Sequence, residues 1–223
     1  MRYLKKVQKM KNAVVLFSGG LDSTTVLYYA LSKKYKCYCL LFNYRQKHRK
    51  ELQSAIKIAD LLKVEFEVIN LNLPWSKDAL TDKNKKIPEH KKIASFIPTT
   101  YVPGRNTLFL SFGLSYAECM SADVIFIGAN ALDFSGYPDC RPQFIDAYNN
   151  LVKSLGLKIK VMAPLIHKTK AQIIKLGTKL KVPYQLTWSC YKGLKEPCGK
   201  CDSCKLRLKG FKEAKLDDPA IKK

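Results

Sequence analysis

Acidic residues are scarce in this chain: its 223 residues hold 18 Asp and Glu against 40 Lys and Arg, a formal charge of +22. The imbalance leaves a diffuse positive field that attracts nucleic acid, phosphates or anionic membranes, or else lysines spread over solvated faces. Glycine (11) and proline (10) are too few for a collagen-like chain, and no internal repeat or low-complexity tract occurs. No apolar run approaches the ~20 residues of a membrane span, so no membrane partner is expected. The basic start MRYLKKVQKMKN leads into only five apolar residues and a glycine turn, which is not a secretory pattern. A cytoplasmic protein with reduced thiols is the expectation.

What is present is a globular composition, 47% apolar and 11% aromatic. The runs AVVLF (13–17), CYCLLF (37–42), EFEVI (65–69), DVIFIG (123–128) and IKVMA (159–163) read as strands. Helical patterns lie between and after them near 23–32, 48–62, 106–120, 142–155 and 169–180. This alternation predicts an α/β fold, a parallel five-stranded sheet flanked by helices, over residues 1–182. Residues 183–223 read as a small cysteine-bearing helical tail. In such sheets ligands bind beyond the carboxyl ends of the strands, here SGGLDS, NYRQKH, the loop from 70 to 105, ANALDFSGYPDCRP and PLIHKT. The middle of the 70–105 loop, SKDALTDKNKKIPEHKK, is polar and reads as a mobile lid.

The segment Phe17–Leu27, FSGGLDSTTVL, carries the strongest local signal. A strand ending at Ser18, Gly19 and Gly20 before a helix near Asp22 aims free N–H groups and a positive helix end at one point, an anion site. The glycines admit close approach, and Ser18, Ser23 and Thr24 add hydroxyl donors. Asp22 can cap the helix or hold Mg²⁺. The loop contains no lysine, and the Walker spacing is absent from the chain, so it is not built to grip a γ-phosphate in the manner of kinases.

Cys190, Cys198, Cys201 and Cys204 crowd into fifteen residues, three of them in CGKCDSC. Four thiolates, with Gly199 permitting the knuckle, can close a tetrahedron around one Zn²⁺ in a structural role. An iron–sulfur cluster or disulfides are the alternatives.

Three loops remain. In NYRQKHRKEL, Gln46 and His48 precede a helix, His48 as a catalyst or as a surface or capping residue. In TYVPGRN, Arg105 starts a helix that Asn106 is expected to cap. In ANALDFSGYPDCRPQF, Asn130 and Arg141 are polar candidates, and Pro142 suits a first helical turn. A purine-like ring offers two parallel donors that Asp133 or Asp139 can accept, with Tyr137 or Phe134 stacking on its face.

FSGGLDSTT resembles the SGGxDS loop of the ATP pyrophosphatase superfamily, which implies that Phe17, Ser18, Gly19, Gly20, Leu21, Asp22, Ser23, Thr24, Thr25, Val26 and Leu27 surround the pyrophosphate tail of ATP with Mg²⁺. With QKHRKEL, YVPGRN, IGANALDFSGYPDCRPQF, APLI, TWSCYKG and CGKCDSCKLRLKGF in this order, the chain resembles the 7-cyano-7-deazaguanine synthase family from about residue 12 to 219. The resemblance implies an adenine nucleotide alpha hydrolase-like (HUP-like) sheet and ATP-dependent conversion of 7-carboxy-7-deazaguanine and ammonia to the nitrile in queuosine biosynthesis. It also implies one zinc per subunit and a homodimer. On this reading Asp22, Arg105 and His48 are catalytic; Arg105 faces the α-phosphate or the substrate carboxylate. Gln46, Asn106, Asn130, Asp133, Tyr137, Asp139 and Arg141 bind the deazapurine. Asn43 and Arg45 stand where the family has Asp and Gly, and arginine is expected to resist a backbone shape open to glycine. The rival readings are a tRNA-modifying ligase or thiolase of the same superfamily, expected to carry a cysteine pair beside ATP, and a zinc-knuckle nucleic-acid binder.

Overall fold

The computed structural model describes residues 10–82, 84–89, 97–132 and 137–221. Five parallel strands, β1 (Asn12–Leu16), β2 (Lys36–Asn43), β3 (Glu65–Asn70), β4 (Val124–Phe126) and β5 (Lys160–Met162), form one sheet in the order β3-β2-β1-β4-β5. The chain winds from β1 to one edge, then returns to the other side of β1 at β4. The reversal opens a crevice at the carboxyl ends of β1 and β4.

The inner strands β1, β2 and β4 are apolar at nearly every position because both faces of the sheet are covered there, whereas the edge strand β3 alternates with exposed Glu65 and Glu67. Ala13, Val15, Cys37, Cys39, Leu41, Val124 and Phe126 point to one side; Val14, Leu16, Tyr38, Leu40, Phe42 and Ile125 point to the other. On the first side pack α1 (Leu21–Ser32), α2 (Lys50–Leu62), α5 (Lys170–Lys179) and α6 (Asp202–Ala214), through residues such as Val26, Ile58, Ile173 and Phe211. On the second lie α3 (Arg105–Cys119) and α4 (Pro142–Ser154), through Leu110, Leu114, Ile145 and Val152. The expected five-stranded parallel sheet is present. The runs at 123–128 and 159–163 pair over only three residues each. Beyond Phe126 the chain turns under α1, where a Cβ on Gly128 would lie 3.1 Å from the Ser23 nitrogen.

Four local expectations are corrected. Helix α1 is capped by Gly20, not Asp22, and α3 by Gly104 at φ 64°, not Asn106. Arg45 does adopt the left-handed conformation, at φ 61°. The turn around it is closed by the Tyr44 N–H donating to Gln46 Oε1 at 3.0 Å, which offsets a steric cost of about 1–2 kcal/mol. SKDAL is not a loose stretch either. The Asp78 carboxylate accepts from Leu80 N (2.7 Å), Thr81 N (3.2 Å) and Thr81 Oγ1 (2.7 Å), and Leu80 is buried. Residues 83 and 90–96 of the expected lid lie outside the described residues. Pro142 stands in the first turn of α4 as expected. No described helix is long and apolar enough to cross a membrane.

Candidate active site

The carboxyl ends of β1, β2 and β4 open into a pocket of about 240 Å³. Its floor is the turn after β1. There Gly19 adopts φ 80° against α2: a Cβ would stand 2.4 Å from the Ala55 nitrogen and 2.5 Å from the Glu51 carbonyl oxygen. Only glycine allows this contact. The Ser18 and Ser23 hydroxyls meet at 3.0 Å, and the Gly20 N–H donates to Ser18 Oγ at 3.3 Å. Helix α1 starts at Leu21 and presents its positive end to the pocket.

Phe17, Ser18, Gly20, Leu21, Asp22 and Ser23 line this space. Thr24, Thr25, Val26 and Leu27 do not: all four are fully buried in the core. Thr24 Oγ1 donates to the Gly20 carbonyl (2.8 Å) and Thr25 Oγ1 to that of Leu21 (2.8 Å), so these hydroxyls serve the helix and not a ligand. Gly19 supports the turn from beneath. The part of the motif that faces the pocket is therefore shorter than its eleven residues.

Lys170, at the start of α5, reaches both oxygens of Asp22 at 2.7 Å. Arg105 donates to the Tyr44 hydroxyl at 3.0 Å. Burial opposes the Arg105 charge, yet Tyr44, Tyr137, Asp139 and Tyr191 around it hold its pKa above the ordinary value. Glu51 lies against Ser18; burial pushes its carboxyl up, while Ser18 and Arg105 work the other way. His48 lines the pocket wall and packs against Gly193, whose Cβ would overlap the His48 Cβ at 2.2 Å. The His48 Nδ1 is buried without a hydrogen-bond partner among the described residues. Burial lowers the His48 pKa, so the ring is neutral at pH 7.

The substrate candidates divide. Gln46, Asn106, Asn130 and Tyr137 line the pocket. Tyr137 is anchored by Thr100 Oγ1 at 2.6 Å, and Asn130 ties its own loop to the carbonyls of Leu165 and Lys168. Asp139 and Arg141 are not among the lining residues. Asp139 Oδ2 accepts the Asn106 N–H at 3.1 Å, and Asn106 Nδ2 donates to the Asp139 carbonyl at 3.0 Å. Asp139 thus secures the start of α3 and the position of Arg105. Arg141 is exposed at the start of α4. Asp133 and Phe134 lie outside the described residues.

The four cysteines of the tail converge, with all sulfur atoms within 4.8 Å of one another. A tetrahedral ion with bonds of about 2.3 Å needs sulfurs about 3.8 Å apart, so the cluster can hold a metal with little movement. N–H groups of Lys192 and Cys198 donate to Cys190 Sγ, each at 3.4 Å, and Gly199 makes its turn at φ 67°. This knuckle is joined to the pocket. Trp188, Ser189 and Tyr191, flanking Cys190, form one wall, and the Trp188 N–H donates to the Gly19 carbonyl at 3.1 Å. From α6, Arg207 pairs with Asp218 at 2.6 Å and bonds Thr187 Oγ1 (2.8 Å) and the Tyr184 carbonyl (2.9 Å). These bonds fix the segment that carries the wall.

Sequence reasoning missed Glu51, Lys170 and Trp188. Glu51 was within reach, because it follows His48 closely in QKHRKEL, in the first turn of α2. Lys170 sits in HKTK just after a strand end. Nothing local marks Trp188. Cys37 and Cys39 lie in β2 opposite Ala13 and Val15, behind the pocket. Among the described residues Cys140 alone of the cysteines lines it, its thiol pushed up to about 12 by burial. That geometry does not supply the cysteine pair a thiolase needs.

A family model described as "Queuosine biosynthesis protein QueC" matches residues 12–215. The chain is 54% identical over 213 residues to the 7-cyano-7-deazaguanine synthase of Picrophilus torridus, covering 92% of this chain and 89% of the relative. It is 51% identical over 220 residues to that of Coxiella burnetii, covering 94% and 97%. Among solved structures it resembles an NMN synthetase from Francisella tularensis, with a TM-score of 0.52 at 17% identity, over 93% of this chain and 78% of that one. It also resembles a 4-thiouridine synthetase solved with RNA and ATP, with a TM-score of 0.51 at 17% identity, over 92% and 53%. At this identity the two structures speak for the fold alone.

Proposed function

The chain belongs to the queuosine biosynthesis protein QueC family, and from that premise we propose that it is an ATP-dependent ligase converting 7-carboxy-7-deazaguanine and ammonia to 7-cyano-7-deazaguanine. The observation that carries the reading is the junction of an anion-binding turn at the end of β1 with a guanidinium at the start of α3, in one pocket.

A carboxylate resists attack because its oxygens leave poorly. Conversion to a nitrile removes both oxygens, so two activations are needed. Each is an adenylation: ammonia displaces AMP to give the amide, and activation of the amide oxygen allows its loss to the nitrile. Ser18, Gly20, Leu21, Asp22 and Ser23 hold the departing pyrophosphate, with Lys170 adding a positive charge beside it. Mg²⁺ would neutralise phosphate charge, and Asp22, whose oxygens meet Lys170, is the pocket carboxylate that would hold it. Arg105 meets the α-phosphate or the substrate carboxylate. Gln46, Asn106, Asn130 and Tyr137 surround the deazapurine. Trp188 and Tyr191 close the pocket and exclude water, which competes with ammonia for the acyl adenylate. Zinc at Cys190, Cys198, Cys201 and Cys204 holds that wall in place. The enzyme works in the cytoplasm as a homodimer.

Mass spectrometry of the protein with 7-carboxy-7-deazaguanine, ammonium and Mg-ATP tests the reading. The amide is expected first and then the nitrile, with AMP and pyrophosphate. ATP turnover that ignores the deazapurine, or none at all, overturns it.

A further inference from the structure

We propose that Lys170 is the resident cation of Asp22, a positioning residue set there by the tail helix α6, and that Mg²⁺ takes this carboxylate only when nucleotide phosphates draw the lysine away. The proposal rests on the ligase reading above, in which pyrophosphate and Mg²⁺ meet at the turn after β1.

A carboxylate alone in a pocket is open to any cation, but Asp22 is already engaged. Lys170 Nζ stands 2.7 Å from each of its two oxygens, on the seat a metal ion would take. The Lys170 and Asp22 side chains are only 9% and 19% exposed, and both line the pocket. Hard carboxylate oxygens that face a phosphate-binding turn fit Mg²⁺, which demands oxygens at about 2.0–2.1 Å. An ammonium group on the same two oxygens excludes the ion by contact and by like charge. The divalent cation therefore enters with the nucleotide and not before it.

Two elements place the lysine. Its backbone opens α5 behind a capping box, in which Thr169 Oγ1 accepts the Gln172 N–H at 3.2 Å and Gln172 Oε1 accepts the Thr169 N–H at 2.9 Å. Its stem crosses α6 at Gly210. A Cβ there would lie 2.3 Å from Lys170 Cγ and 2.9 Å from both Lys170 Cβ and Ile174 Cδ1. Glycine inside a helix is unfavourable, and the passage of the lysine accounts for this one. The confinement reaches Cγ, which leaves Cδ and Cε to carry Nζ between Asp22 and phosphates at the turn. Glu51, the other carboxylate lining the pocket among the described residues, is the competing seat for a metal.

Mn²⁺ binding without nucleotide, read by electron paramagnetic resonance on full chains loaded at the cysteine cluster, separates the two. Lys170→Gln should bind one Mn²⁺ about tenfold or more tighter than wild type, because the carboxylate is no longer occupied. Adding Asp22→Asn should abolish the gain. Gly210→Ala keeps the lysine charge but crowds its stem, and should gain affinity in the same direction. No gain in Lys170→Gln or in Gly210→Ala, or a gain that survives Asp22→Asn and so belongs to Glu51, overturns the proposal. If the variants do not fold, the wild type decides. The ¹⁵N resonance of the Lys170 ammonium, assigned through the contact of its stem with Gly210, should ignore millimolar Mg²⁺ and shift with Mg-ATP. A shift with Mg²⁺ alone, or none with Mg-ATP bound, overturns it equally. Such a failure with nitrile still formed removes this role alone; a chain that binds no Mg-ATP by calorimetry fails at the ligase reading itself, and this role falls with it.

Discussion

Gly19 and Gly20 are adjacent but are glycine for opposite reasons, and exchanging each for alanine separates the two. At Gly19 the new Cβ would lie 2.4 Å from the Ala55 nitrogen, where ordinary contact begins at 3.4 Å, so α2 must shift by about 1 Å. That helix is pinned by Ala55, Ile58 and Ala59, each 0% exposed. Overpacking of this kind costs about 1–3 kcal/mol, and a side chain at φ 80° adds about 1–2 kcal/mol. The sum is about 2–5 kcal/mol. At about 3 °C per kcal/mol for a chain of this size, Gly19→Ala should lower Tm by roughly 6–15 °C. Gly20→Ala has ordinary backbone angles and meets only side-chain and carbonyl oxygens, so it should stay within about 1 kcal/mol of wild type, while losing about tenfold in turnover because its methyl would stand 3.3 Å from Ser18 Oγ on the turn that faces the pocket. Urea unfolding and the nitrile assay read the two quantities. Equal destabilisation of both variants, or a stable Gly19→Ala, would refute this account of the turn.

Lys170→Gln leaves the Asp22 carboxylate without its cation and should cost about 2 kcal/mol; adding Asp22→Asn should recover stability by urea titration but not nucleotide affinity by calorimetry. Chelation of the tail metal should shift the fluorescence of Trp188, whose Nε1 donates to the Cys190 carbonyl at 2.8 Å, in step with loss of ATP binding. The other tryptophan, Trp75, is 64% exposed and changes little, so loss of ATP binding with fluorescence intact would disprove the shared wall. Glu51 has a raised carboxyl pKa, so the fold penalises its charged form. Glu51→Gln should therefore exceed wild type in Tm at neutral pH, the advantage vanishing as pH falls through the folded Glu51 pKa and then below the ordinary carboxyl value. A constant or inverted difference across that range would show that burial does not dominate. Asp139→Ala should cost about 1 kcal/mol, since Asp139 accepts the Asn106 N–H at the start of α3, and it should weaken ATP and deazapurine binding together by displacing Arg105. A change in deazapurine affinity alone, by calorimetry, would return Asp139 to the purine edge.

What the sequence by itself determined was periodic or local. Strands buried on both faces are apolar throughout, and turns that approach another backbone need glycine, so the sheet, the Ser18–Ser23 turn and the cysteine knuckle could be read from spacing. Tertiary structure decided which side chains share a space. Thr24 and Thr25 carry the right chemistry but the helix turns them into the core; Asp139 faces α3 instead of the pocket; Glu51, Lys170 and Trp188, 137 residues apart at the extremes, meet around Asp22 and Gly20. Such meetings depend on how α2, α5 and the tail pack over β1, and packing direction leaves no mark in the local pattern of any one segment.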